Sequence, residues 1–346
     1  MQHSDICIAG AGIIGLSLAL ELHHRGARIT VLEQAMPLGE ASTAAAGMLA
    51  AADPDNPPAL RPLSDLSISL YPSYLTRLRD LSGLEVPLHT SRALQALPEH
   101  MAETSAVLSA DALRQILPQL TPGNRRFVLL DEHSLDPRQL ATALLAAVRA
   151  TTIELRTQTK FLSAKSSGDA VEIQTAAGTV HASQFVDCTG AWSTQTAPKK
   201  GQMLAVALPA SLPLATVVRT PDIYIVPRAA GPKPTRAIIG ATVEDAGFDK
   251  TVHPADIARL KAQATSLLPQ LADATLLESW AGLRPVTADH LPLLGATPSR
   301  TNHFIAAGHY RNGILLAPAT AHVMAQLLTG ETPAISLSPY SPSRVL

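Results

Sequence analysis

Residues 5–34, DICIAGAGIIGLSLALELHHRGARITVLEQ, constrain the fold more than any other part of the chain. Residues 6–9 form a short apolar run of the kind a doubly covered parallel strand shows. Leu16, Ala19, Leu20 and His23 then recur at helical spacing, Gly26 stops the helix, and residues 29–32 read as a second strand. Between the first strand and the helix stands Gly10-Ala11-Gly12-Ile13-Ile14-Gly15, and Glu33 closes the second strand. This is a dinucleotide-binding βαβ unit in the right context. Gly10 permits the turn, Gly12 lets a pyrophosphate approach the backbone, and Gly15 lets helix and strand pack closely. Ile13 and Ile14 belong to the same cofactor-binding turn at the helix N-terminus. Glu33 is placed to accept hydrogen bonds from an adenosine ribose, and its charge disfavours a 2′-phosphate.

The rest of the composition narrows the class. A chain of 346 residues, 46% hydrophobic, can bury enough surface for two subdomains. The net charge is −1, and no window is rich in Lys and Arg, which argues against a nucleic-acid partner. Cys7 and Cys188 stand alone, with no CxxC pair and no metal-ligand spacing, so a reducing compartment and no metal are expected. No secretory signal is evident, and no apolar run reaches roughly 18 residues. A cytoplasmic protein without a membrane partner is the expectation, and a homo-oligomer is left open. Residues 53–62, DPDNPPALRP, read as an ordered Pro-rich connection, and residues 229–236, AAGPKPTR, as a hairpin tip.

One fingerprint implies one dinucleotide. A flavoenzyme reduced by NAD(P)H needs a second nucleotide site, and the chain has no second GxGxxG. In HASQFVDCTGAWS, residues 185–188 form another buried run that delivers a Thr189-Gly190 turn, with Trp192 just beyond. A strand returning such a turn beside the first one favours FAD over NAD.

Further segments complete a pattern: STAAAGMLA (42–50), LDPRQLATAL (135–144), KGQMLAV (200–206), IYIVPR (223–228), WAGLRPVTADHLPLLG (280–295) and GHYRNGILLAPAT (308–320). With the fingerprint and DCTGAWS, they make the chain resemble the FAD-dependent D-amino acid oxidase superfamily, and within it the thiamine-biosynthetic glycine oxidases. The resemblance runs from one terminus to the other. It implies an α/β fold of D-amino acid oxidase type. A discontinuous Rossmann-like FAD domain would comprise residues 1–80, 136–200 and 281–346, and a mainly antiparallel-sheet substrate domain residues 81–135 and 201–280.

The resemblance also implies roles for individual residues. Ser42, Thr43, Ala45, Ala46 and Gly47 would lie along FAD, with Met48 at the edge of the substrate cavity. Phe161, Thr189, Gly190 and Trp192 would belong to the cofactor site. Arg284, on a turn stiffened by Pro285, and Tyr224, on a strand, would grip the substrate carboxylate. Arg311 would face the substrate or the entrance. The backbone N–H groups of Asn312, Gly313 and Ile314, with the helix dipole behind them, would stabilise the charge on the reduced flavin. His309 is assigned a structural or electrostatic role rather than that of a base.

Sarcosine oxidases of this fold attach their flavin through a cysteine in the C-terminal half. No cysteine follows Cys188 here, so FAD is expected to be noncovalent. Three departures from the glycine oxidase pattern bear on the substrate: the short 192–201 connection, Asp222 in place of a His, and Val243 in place of a Met. The expected activity is oxidation of glycine or another small D- or N-methylated amino acid, with O2 reduced to H2O2, serving the thiazole branch of thiamine biosynthesis. The alternatives are a D-amino acid dehydrogenase using a quinone, an RNA-modifying flavoprotein, and a non-catalytic FAD-binding protein.

Overall fold

The computed structural model describes residues 4–99, 106–228, 235–298, 300 and 302–345. The first sheet is built on Ser4–Ala9, which pairs in parallel with Ile29–Leu32 on one side and with the end of Gly178–Asp187 on the other. Glu154–Arg156 and His303–Ala307 extend it in parallel, and Leu293–Ala296 closes one edge antiparallel. The first half of Gly178–Asp187 instead forms an antiparallel meander with Phe161–Ser167 and Ala170–Thr175.

The first strand is apolar on both faces because both are covered. Ile6 and Ile8 pack under the helices Ile13–His24, Arg61–Ser82, Pro137–Arg149 and Gly313–Leu328, whereas Cys7 and Ala9 pack under the meander through Val171, Ile173 and Phe185.

The second sheet runs Leu276–Val286, Ala197–Ala207, Arg236–Gly240, Tyr224–Arg228, Val217–Arg219, Ala93–Ala96, Phe127–Leu130. It is antiparallel except between Val217–Arg219 and Ala93–Ala96. Its strands alternate: Leu204, Val206, Ile225 and Ile239 pack on the helix Pro254–Leu267, while Ala205, Val226 and Ile238 face the other way, toward Met48, Tyr224 and Trp280. Register aligns Arg219, Tyr224, Gly240, Met203 and Trp280 in one row across that second face.

The connection 53–62 is ordered and leads through a short 3-10 turn, Pro58–Leu60, into the helix Arg61–Ser82. The strands on either side of the expected hairpin tip pair antiparallel. Residues 229–234 of the tip lie outside the described residues. Among the described residues no helix is long and apolar enough to cross a membrane.

Candidate active site

The fingerprint turn folds as its glycines require. Gly10 has φ +102°, and a Cβ there would collide with the Cys188 carbonyl of the neighbouring strand. A Cβ on Gly15 would strike the Gly10 carbonyl, so this position serves packing and does not itself line the cavity. Gly12 caps the helix in extended conformation, and a Cβ there would meet only the Ser42 hydroxyl. Ser42 Oγ accepts the N–H of Ile13 at 2.9 Å, joining the 42–48 segment to the helix start. Glu33 braces the turn: one carboxylate oxygen accepts from Ala11 N and the other from Ala35 N, both at 2.9 Å, which leaves each oxygen a further lone pair.

A single cavity runs from this turn to the second sheet. Gly12, Ile13, Ile14, Glu33 and Phe161 line one end, and Phe161 is stacked on Phe185 with ring centroids 4.8 Å apart. Ser42, Ala45, Ala46, Gly47 and Met48 form one wall, and Thr189, Gly190 and Trp192 another. Thr43 departs from the expectation. It is absent from the lining because its hydroxyl turns back to donate to the Leu38 carbonyl at 2.9 Å.

At the far end stand Tyr224 and Arg284, and both need glycine neighbours. A Cβ on Gly240 would overlap the Tyr224 phenol, and one on Gly201 would overlap the Arg284 guanidinium. Arg284 is on a strand, Leu276–Val286, and not on the turn that Pro285 suggested. Its Nη1 donates to the carbonyls of Thr242, at 3.1 Å, and Lys200, at 3.4 Å, which orients the fork. Burial pushes the Tyr224 hydroxyl above the usual phenol range, while the charge and hydrogen bond of Arg284, then Arg228 and Arg311, pull the other way. It remains a neutral donor beside a cation.

The late helix Gly313–Leu328 points its N-terminus into the same cavity. Asn312 differs from expectation, because its N–H is taken by the His309 carbonyl at 2.9 Å and its side-chain amide donates to Asn56. Gly313 and Ile314 remain as the orphan N–H groups of the first turn. Arg311 lines the cavity yet is held by Asp53 at 2.9 Å, and Asp53 also faces Arg219 at 3.7 Å, which pairs with Glu132 at 3.0 Å. His309 is buried against Thr320 Oγ1 at 3.0 Å, and burial pushes its pKa down to about 3, so it is a neutral structural group. Asp222 and Val243 both sit at the mouth.

Sequence reasoning missed Asp53, Arg219, Lys160 and Met203, all of which line the cavity. The only signal for Arg219 was its position five residues before Tyr224, which a hairpin turns into a cross-strand pair.

The glycine cradle, the bracing carboxylate and the second helix N-terminus facing the other end suit an extended dinucleotide with an electron-accepting ring. The comparisons with known proteins agree. The sequence matches the family described as FAD dependent oxidoreductase over residues 5–327. It is 33% identical to a glycine oxidase of Pseudomonas aeruginosa, over 98% of this chain and 98% of that protein. It is 37% identical to the bifunctional protein ThiO/ThiG of Trichormus variabilis over 98% of this chain and 55% of that protein, so it spans about half the length of such bifunctional relatives. The crystal structure of glycine oxidase from Geobacillus kaustophilus superimposes with a TM-score of 0.93 at 30% identity, covering 100% of both chains. The chain belongs to the FAD-dependent oxidoreductase family, as a glycine oxidase-like member.

Proposed function

We propose that this protein oxidises glycine, or a small N-methylated or D-amino acid, to the imine, which is passed on as such or hydrolysed by water to the 2-oxo acid with release of ammonia or methylamine. FAD bound along the fingerprint turn and the 42–48 wall would supply the electron acceptor for oxidation at Cα, with O2 as the final acceptor and H2O2 as its product. Residues 1–80, 136–200 and 281–346 would supply most of the cofactor site and residues 81–135 and 201–280 most of the substrate cover, except that the strand Leu276–Val286, which carries Arg284, belongs whole to the second sheet. Arg284 and Tyr224 hold the substrate carboxylate, the guanidinium as a two-pronged donor and the phenol as a third. Met48 and Ala46 wall the reacting carbon. Gly313 and Ile314 present N–H groups and a helix dipole where negative charge develops. The reactive amine enters unprotonated, and His309, neutral and turned to Thr320, takes no proton from it. The resemblance to thiamine-biosynthetic glycine oxidases extends the proposal to the thiazole branch as the consumer of the imine.

The observation that carries this reading is the meeting of Arg284 and Tyr224, each seated over a glycine, in one cavity with the fingerprint turn and the late helix N-terminus. Anaerobic titration with glycine, N-methylglycine and D-alanine tests it. At least one should bleach the visible flavin band, and admitting air should restore the band with stoichiometric peroxide. If none of the three bleaches the flavin, the substrate class is wrong. Bleaching without peroxide would assign the electrons to an acceptor other than O2.

A further inference from the structure

Three of the sequence motifs leave residues that do not line the cavity: Asp136 and Arg138 of LDPRQL, Arg228 of IYIVPR, and Trp280 of WAGLRP. They converge on one place. Arg228 is 3% exposed and lies on the same face of its strand as Tyr224 and Val226, but it does not line the cavity. Its Nη2 donates to the Ala46 carbonyl at 2.7 Å, its Nε lies 3.8 Å from Asp136, and Nε and Nη1 have no hydrogen-bond partner among the described residues. Asp136 caps the helix Pro137–Arg149 and is bonded by Arg236 at 2.8 Å. Arg138 pairs with Glu278 at 2.8 Å and stacks on the Trp280 ring at 4.8 Å. Trp280 Nε1 in turn donates to the Ala44 carbonyl at 3.0 Å.

The cluster therefore reaches the cavity wall through two bonds, at alternate carbonyls of Ala44 and Ala46. Fixing both carbonyls outward leaves the peptide planes of this segment one orientation toward the cavity. Burying a guanidinium with two unbonded nitrogens is expensive, and burial pushes Arg228 down to about 10, so packing alone does not account for it.

We propose that Arg228 is a positioning residue for the flavin: with Trp280, it sets the orientation of the Ala44–Gly47 wall along which the flavin ring lies. This rests on the reading of residues 42–48 as the flavin wall, and not on the identity of the substrate.

The test compares Arg228→Met, Arg228→Lys and Trp280→Phe with wild type after reconstitution with FAD. The readouts are the visible spectrum of the bound flavin, FAD affinity, and kcat and KM for the best substrate. Arg228→Met should shift the flavin bands and weaken FAD binding by about tenfold or more. It should also lower kcat by about 10²-fold while KM stays within roughly threefold, the signature of a misplaced reacting group. Arg228→Lys should recover part of the spectral shift. Trp280→Phe keeps the ring under Arg138 and deletes only the bond to Ala44, so it should shift the bands in the same direction and serves if Arg228→Met does not fold. A wild-type spectrum and FAD affinity in Arg228→Met, or in Trp280→Phe where the first does not fold, would overturn the proposal, as would a loss confined to KM. Spectrum and affinity are read without substrate, so a wrong substrate assignment would leave this test standing.

Discussion

Arg284 shows how a single residue depends on its neighbours for its chemistry. Its fork is aimed by two backbone carbonyls and has room only because position 201 carries no Cβ. Arg284→Ala should remove the carboxylate clamp and leave a partly desolvated anion unpaired, costing about 3 kcal/mol, which is about 10²-fold in KM. Lys should restore part of this, since a point charge cannot reproduce the fork. FAD content should stay at the wild-type level. Steady-state kinetics with flavin quantification decide the matter: a wild-type KM sinks the carboxylate assignment, and loss of FAD makes the residue structural. Arg284 and Tyr224 were legible because each sits inside a recognisable motif. The buried charge cluster that holds Arg311 through Asp53 was not. Asp53, Arg219 and Glu132 are far apart in sequence and read singly as surface charges, although all three are buried around one another.

The late helix Gly313–Leu328 is the element on which most of the sequence reading converged, and it also shows where such reading stops. Its start was legible from Gly313 and the apolar run behind it. The loss of the Asn312 N–H to His309 was not, because a backbone turn just before a helix leaves no side-chain pattern. Arg284 gives a second case. Pro285 suggested a turn but lies in a strand directly opposite Pro198. Two prolines facing each other are tolerated at a non-hydrogen-bonded pair, where the ladder needs no N–H donor from either position. The helix also carries a pH dependence, through the buried contact of His309 with Thr320. With a folded pKa of about 3 against 6.5 for an exposed histidine, the unfolded chain binds the extra proton between these values. Stability is therefore fully present above pH 6.5 and falls as the pH drops toward 3, by on the order of 2–3 kcal/mol between pH 6.5 and 4.5. His89, pushed down to about 4 mainly by burial, acts in the same direction. Urea unfolding across that range should show a shallower decline for His309→Gln than for wild type, and equal slopes would remove His309 as a source.

At the scale of the whole molecule, the walls of the cavity come from segments that are remote in sequence: the turn at 10–15, the 42–48 wall, Thr189–Trp192, the second sheet at Tyr224 and Arg284, and the helix start at 311–314. A ligand bound there touches all of them at once and touches none of them together in the unfolded chain, so FAD should act as a staple between the two sheets. The attachment should be noncovalent. The two cysteines are buried on or beside strands of the first sheet, and burial pushes the Cys7 thiol up to about 12 and Cys188 higher than the usual thiol range, so neither offers a thiolate. Acid precipitation should therefore leave the yellow colour in the supernatant, and mass spectrometry of the pellet should find unmodified peptides. A flavin adduct on any peptide would refute noncovalent attachment. Apoprotein prepared without denaturation should unfold at lower temperature, and adding FAD at about 100 times its Kd should restore about 2.7 kcal/mol, or about 4 °C for a chain of this length. An unchanged midpoint would mean that FAD does not bind the native chain in preference to the unfolded one, and would overturn the cavity as its site.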